Sequence, residues 1–178
     1  MNPDMPSVLM DIFDAKQLRQ ALGRYATGVA IVTSRGADGQ YIGLTVNSFS
    51  SVSLEPPLVL WSLANKSINL VHFKNASHFV VHVLGENQMD LARRFASNVS
   101  ERFEGLAMLE GMGGSPLLEG CPVRLHCETI SMMEAGDHHI FMGKVVRLEE
   151  CSAAGDSLLF YRGRFLVFGS DAEPKPAP

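Results

Sequence analysis

The stretch PVRLHCETISMM (122–133), EAGD (134–137), HHIFMGKVVRL (138–148) decides the fold class. Two long runs rich in apolar and β-branched residues flank four residues of turn chemistry, which reads as a long antiparallel hairpin. Outward from it, short strands recur. Towards the N-terminus Phe79–Leu84 and Leu58–Leu63 are apolar runs, and Pro56-Pro57 breaks what precedes them. A strand runs from Gln40 to Phe49, with Ser50–Ser53 as its polar continuation. The Asp38-Gly39 pair is a hairpin signal that joins it to Val29–Thr33. Towards the C-terminus a last strand covers Arg164–Phe168. Three short helices intervene. Asp14 caps one over Ala15–Tyr25, with Leu18, Ala21, Leu22 and Tyr25 turned inward. Ser67–Lys74 is the second, with Ile68, Leu70 and Val71 inward. Asn87–Ala96 is the third, with Leu91, Ala92 and Phe95 on one side and Arg93 and Arg94 at the end where cations suit the helix dipole. Residues 104–121 are Gly-rich and loop-like. About seven strands at close spacing make the chain mainly β with short helices, an antiparallel barrel rather than a parallel sheet.

With 178 residues, 46% hydrophobic and 19% charged, the chain supports one packed domain and is not disordered. We place that domain at residues 11–170, between a flexible N-terminus (1–10) and a flexible Pro-rich tail, DAEPKPAP (171–178). The net charge of -4 provides no basic field for nucleic acid. There is no signal-peptide pattern and no apolar run long enough to span a bilayer, so the expectation is a cytoplasmic protein without membrane contact. Cys121, Cys127 and Cys151 are odd in number and irregular in spacing, which reads as three reduced thiols.

The motifs that are missing narrow the chemistry. No GxGxxG follows a strand, and there is neither a P-loop nor a GxSxG elbow. His78 and His82 are four apart, about 13 Å along a strand, and the adjacent His138 and His139 point to opposite faces, so no pair shares a metal. What remains is a band of small polar residues: Thr27-Gly28, then Thr45, Asn47, Ser48, Ser50, Ser51 and Ser53, then Asn65-Lys66-Ser67. Such hydroxyls, amides and free backbone N–H groups suit a ribityl chain and a phosphate. Lys66 adds a full charge just before a helix start. The same residues also serve as ordinary turn and cap chemistry. Thr45 and Asn47 can simply alternate on a strand face, and Lys66 can be a solvated turn charge.

Several segments together resemble the short-chain flavin reductases, the reductase components of two-component flavin monooxygenases. They are LGRYATGVAIVT (22–33), GLTVNSFSSVSLEPPL (43–58), LARRFA (91–96), GDH (136–138) and LFYRGRF (159–165), and the likeness spans about residues 12 to 168. The resemblance implies an FMN-binding split β-barrel that holds flavin at a homodimer interface. It implies an NAD(P)H:flavin oxidoreductase that reduces FMN or FAD with NADH or NADPH and supplies a separate monooxygenase. By the same analogy Thr45, Val46, Asn47 and Ser48 line the ring and ribityl chain, with Ser51 in the same signature, and Thr27 and Gly28 lie near the flavin. Asn65, Lys66 and Ser67 form the phosphate end, and His138 faces the nicotinamide. Arg162 and Arg164 ring either a nucleotide phosphate or the dimer seam, and Arg162 is taken for the nicotinamide nucleotide. Two positions depart from the family pattern: His82, where relatives often carry Asn, and Trp61, where a smaller residue is common. Both departures bear on flavin contacts and substrate preference.

The absence of a paired acid and base agrees with hydride transfer, which is the cofactors' own chemistry. Two other readings share the fold: a flavin-binding sensor or electron carrier without turnover, and an oxidase acting on an amine or a metal chelate. From the residues alone, His138 can equally cap the turn after Asp137.

Overall fold

A computed structural model describes residues 12–151 and 155–168. The segments 1–10 and 171–178, read above as loose ends, lie outside the described residues. The chain opens with α1 (Ala15–Leu22), then β1 (Thr27–Gly28), β2 (Ala30–Arg35), β3 (Tyr41–Val46), β4 (Ser50–Leu54) and β5 (Pro57–Ala64). There follow α2 (Leu70–Asn75), β6 (His78–Val83), α3 (Met89–Ala96), β7 (Leu109–Glu110) and β8 (Pro116–Leu117). The last elements are β9 (Val123–Ala135), β10 (His138–Glu150), β11 (Leu159–Tyr161) and β12 (Arg164–Leu166).

Seven strands form one antiparallel sheet in the order β3-β2-β6-β9-β10-β5-β4, and β1, β11 and β12 form a smaller one. Strands β3 and β4 are consecutive in sequence yet sit at opposite edges of the large sheet. Four Cα steps from Val46 to Ser50 reach at most about 15 Å. Six inter-strand spacings in a flat sheet would separate the edges by about 29 Å. The sheet therefore curls until its edges approach. They do not pair with each other, so the barrel is split at this seam.

The long hairpin forms as expected, with β9 and β10 in register from His138 opposite Ala135 to Glu150 opposite Val123. Inside the barrel, Trp61 stacks on Phe141 at 4.6 Å between ring centroids and meets Phe73 and Phe79 edge-on. A second apolar cluster, including Ile31, Leu84, Phe95, Leu118 and Leu158, lies on the other side of β2. Strand β2 is buried on both faces, which is why it reads as an unbroken apolar run.

Four expectations are corrected. The strand assigned to Gln40–Ser53 is two strands, because Asn47–Phe49 carries the chain from one edge of the sheet to the other. The expected last strand at Arg164–Phe168 is joined by one at Leu159–Tyr161 that was not expected, and it pairs with both β1 and β12. Asp14 does cap α1, in a capping box with Gln17, but the helix ends at Leu22 and Leu18, Leu22 and Tyr25 are exposed. No element among the described residues packs over that face. Helix α2 starts at Leu70 rather than Ser67, its buried residue is Phe73, and Val71 and the preceding Ile68 are exposed.

Candidate functional site

The seam opens into a cleft of about 730 Å³. One wall is the end of β3 and the crossing that follows, Thr45 to Ser48; the other is the turn after β5, with Lys66 and Ser67. His138 stands at this turn because it opens β10 directly opposite Ala64. No carboxylate among the described residues lines the cleft.

The polar side chains are unequally committed. The Thr45 hydroxyl donates to the carbonyl of Ala92 in α3 at 2.7 Å. The Ser48 hydroxyl accepts from the Ser62 N–H at 2.9 Å and donates to the Ser62 carbonyl at 3.2 Å, tying the crossing to β5. Thr45 and Ser48 thus offer the cleft mainly backbone, while Asn47 makes no side-chain hydrogen bond among the described residues. The ring of His138 is half-exposed, and its Nδ1 lies 2.6 Å from the carboxylate of Asp137. That hydrogen bond, with the attraction of the ring, holds the Asp137 carboxyl below its usual range.

Several expected residues lie elsewhere. Asn65 does not line the cleft. Its amide nitrogen donates to the Gly136 carbonyl at 3.1 Å and its oxygen accepts from His139 Nδ1 at 2.6 Å, locking the β5 turn onto the long hairpin. Ser51 sits on the edge strand β4, outside every cleft described. Thr27 and Gly28 line a second cleft of about 760 Å³ beside the first, and Asn47 and Ser48 belong to both. The hydroxyl of Thr27 is buried there without a hydrogen-bond partner. Arg162 lines a third cleft, against the end of α1, whose lining does not include His138. The helix-start argument for Lys66 and Ser67 also changes, since α2 begins only at Leu70. They occupy a turn in which the Ser67 N–H donates to the Ala64 carbonyl.

Of the lining residues outside the expected set, Arg102 is the charged one. Arg102 reaches the first cleft from the segment after α3, donating from Nη1 to the Gly43 carbonyl at 2.9 Å and from Nη2 to the Ser97 carbonyl at 2.6 Å. Its Nε–H is buried and unpartnered. Nothing local in SNVSERF (97–103) signals this, because both carbonyls are met only in the folded chain.

Residues 22–169 match the flavin reductase like domain. The chain belongs to the flavin reductase-like family. It is 38% identical over 163 residues to a flavin reductase of Pseudomonas putida, covering 92% of this chain and 95% of that one. It is 40% identical over 152 residues to the reductase component of a flavin-dependent trigonelline monooxygenase from Acinetobacter baylyi, covering 85% of this chain. The chain spans 48%, about half, of that relative's length. Among solved structures, the NADH:FAD oxidoreductase SgcE6 of Streptomyces globisporus, in complex with NAD and FAD fragments, aligns with a TM-score of 0.85 at 36% identity. That alignment covers 94% of this chain and 100% of the other.

In this flavin reductase-like barrel the two departures from the family pattern are core residues, not cleft residues. Trp61 is fully buried in the aromatic cluster. His82 is fully buried with Nδ1 3.1 Å from the Ile31 carbonyl and Nε2 3.2 Å from the Leu118 N–H. Those partners require the neutral tautomer protonated on Nδ1. Burial pushes the ring's pKa down to about 3, against a smaller upward pull from the Ile31 carbonyl. Neither residue lines any of the clefts described.

Proposed function

We propose that this chain is an NAD(P)H:flavin oxidoreductase, reducing FMN or FAD with NADH or NADPH and passing the reduced flavin to a separate flavin-dependent monooxygenase. The observation that carries the reading is the seam cleft: a wall of backbone and the Asn47 amide, with two cations, Lys66 and Arg102, in the same lining and no carboxylate there among the described residues. The unpartnered Thr27 hydroxyl in the adjoining cleft is a further polar group awaiting a ligand. These donors fit a flavin. The backbone of Thr45–Ser48 and the amide of Asn47 would face the ring and ribityl chain, Lys66 and Ser67 the phosphate, and Thr27 and Gly28 the adjoining end. His138 and Arg162 would contact the nicotinamide nucleotide. Ser51 takes no part, and Asn65 supports the site by fixing the Lys66 turn.

When bound, flavin and dihydronicotinamide supply the hydride chemistry themselves. The chain's task is to hold two rings in contact and in register. His138, fixed by Asp137, orients an amide or phosphate at the cleft mouth and need not move a proton.

We take residues 11–170 as the functional unit and the homodimer as its working form. The exposed apolar face of α1 and the bare end of the long hairpin, Ile130, Met132 and Met133, support a pairing surface. The cytoplasm is the compartment we assign, consistent with three free thiols. No helix among the described residues is long and apolar enough to cross a membrane.

The test is NADH and NADPH oxidation with FMN, FAD and riboflavin in turn. Flavin-dependent oxidation of at least one nicotinamide is expected. Bound flavin with no oxidation of either would establish a sensor or carrier instead.

A further inference from the structure

The two turns at the mouth of the first cleft are tied together by one residue. Strand β5 ends at Ala64, directly opposite His138, so the turn carrying Lys66 and Ser67 leaves the sheet beside the Gly136-Asp137 turn of the long hairpin. Asn65 bonds to three of the four residues from 136 to 139. Its N–H donates to the Asp137 carbonyl at 2.8 Å, its Nδ2 donates to the Gly136 carbonyl at 3.1 Å, and its Oδ1 accepts from His139 Nδ1 at 2.6 Å. His138, the one left out, is thereby fixed from both sides.

The hairpin turn has little else to hold it. Gly136 has a φ of 63°, and nothing lies within 4 Å of where its Cβ would stand. Among the described residues, Asn65 supplies the one side chain from outside 136–139 that hydrogen-bonds to this turn. Asn65 is itself exposed and lines none of the clefts described, so its amide serves the turn and not a ligand. Charge follows the same path. The Asp137 carboxylate, 2.6 Å from His138 Nδ1, is held in its charged form first by that ring and also by the attraction of Lys66. A group that occupies Lys66 therefore reaches His138 through one amide and one carboxylate.

We propose that Asn65 is a positioning residue that couples the flavin turn to the nicotinamide residue: Lys66 and Ser67, once closed on a flavin phosphate, steady the β5 turn, and Asn65 passes that order to His138. The proposal rests on the reductase reading, which puts the phosphate at Lys66 and the nicotinamide at His138. Coupling between two sites needs a continuous physical link, and here the link is a chain of bonded groups. Its signature is a cofactor preference. FMN and riboflavin present the same ring and differ in the phosphate alone. The phosphorylated flavin should serve the nicotinamide step better even when both flavins are saturating.

The experiment compares FMN with riboflavin, each at saturation, on the full-length protein. By NMR, the His138 Cε1–H resonance, assigned by its loss in His138→Ala, should narrow with FMN and shift without narrowing with riboflavin. In Asn65→Ala, FMN should act on it as riboflavin does. In the wild type, kcat/KM for NADH should be about 5-fold higher with FMN than with riboflavin, the lower end of ordinary coupling between sites. That ratio should fall towards one in Asn65→Ala. A merely structural Asn65 would lower the rates with both flavins alike and leave the ratio unchanged, and that outcome overturns the proposal. So does a wild type in which the two flavins narrow the resonance equally, or an Asn65→Ala protein in which FMN still narrows it. Should Asn65→Ala fail to fold, Asn65→Asp, which keeps the acceptor for His139 and loses the donor to Gly136, carries the same expectations. Narrowing that depends on Asn65 without any NADH oxidation overturns the reductase reading and not the coupling.

Discussion

Two adjacent histidines show how much a single residue's facing decides. His138 opens at the cleft and His139 is buried against Asn65. His138→Ala should lower kcat/KM for the nicotinamide about 10-fold, near 1.4 kcal/mol of transition-state stabilisation, with flavin affinity little changed. Steady-state kinetics with each substrate varied checks this. The alternation of a strand puts His139 on the face opposite His138. Its bond to Asn65 makes His139→Ala a stability variant, expected to lower the melting temperature more than it alters nicotinamide kinetics. His82 carries a pH signature. Its folded pKa of about 3 lies below the ordinary value of 6.5, so the unfolded chain binds a proton that the folded chain refuses. The stability this represents is fully present above about pH 6.5 and is lost as pH falls towards 3, at up to about 1.4 kcal/mol per pH unit. Urea midpoints across that range should fall for wild type and fall less steeply for His82→Asn.

At the scale of elements, strand β10 passes its neighbours so closely that side-chain size becomes critical. A Cβ on Gly143 would stand 2.4 Å from Phe79 Cζ and 3.0 Å from Cys127 Cβ, beside the register shift between Met142 and Gly143. Gly143→Ala should cost about 1–3 kcal/mol, read as a lower denaturation midpoint. The elements were legible where their causes are local. The Asp14 cap, the Asp38-Gly39 turn, the long hairpin and the apolar β2 all announce themselves within a few residues. What was not legible depends on distant partners. Strand β11 exists because β1 and β12 flank it, and β4 is a separate strand because the sheet curls. The commitments of Ser48 to Ser62 and of Asn65 to Gly136 and His139 likewise arise only on folding. Thr45, Val46, Asn47, Ser48, Lys66, Ser67 and His138, all named from the sequence, line one cleft, whereas Arg102 has no motif to betray it.

For the whole molecule, the proposed dimer makes the exposed face of α1 a load to be covered rather than a flaw in packing. Leu22→Asp, at a position 64% exposed in the single chain, should leave the protomer folded and shift sedimentation towards the monomer. An unchanged sedimentation coefficient would move the interface elsewhere. The seam has a different consequence, one of time rather than geometry. Among the described residues the barrel's two edges are linked by the crossing Asn47–Phe49 and share no ladder, so their amides should open to solvent by local excursions that leave β9 and β10 shut. A ligand lodged between Thr45–Ser48 and the Lys66 turn would act as a clasp across that gap. Hydrogen exchange followed by mass spectrometry should therefore show β3 and β4 exchanging early in the ligand-free protein. Flavin should slow those strands selectively, while the central hairpin keeps one slow rate with or without it.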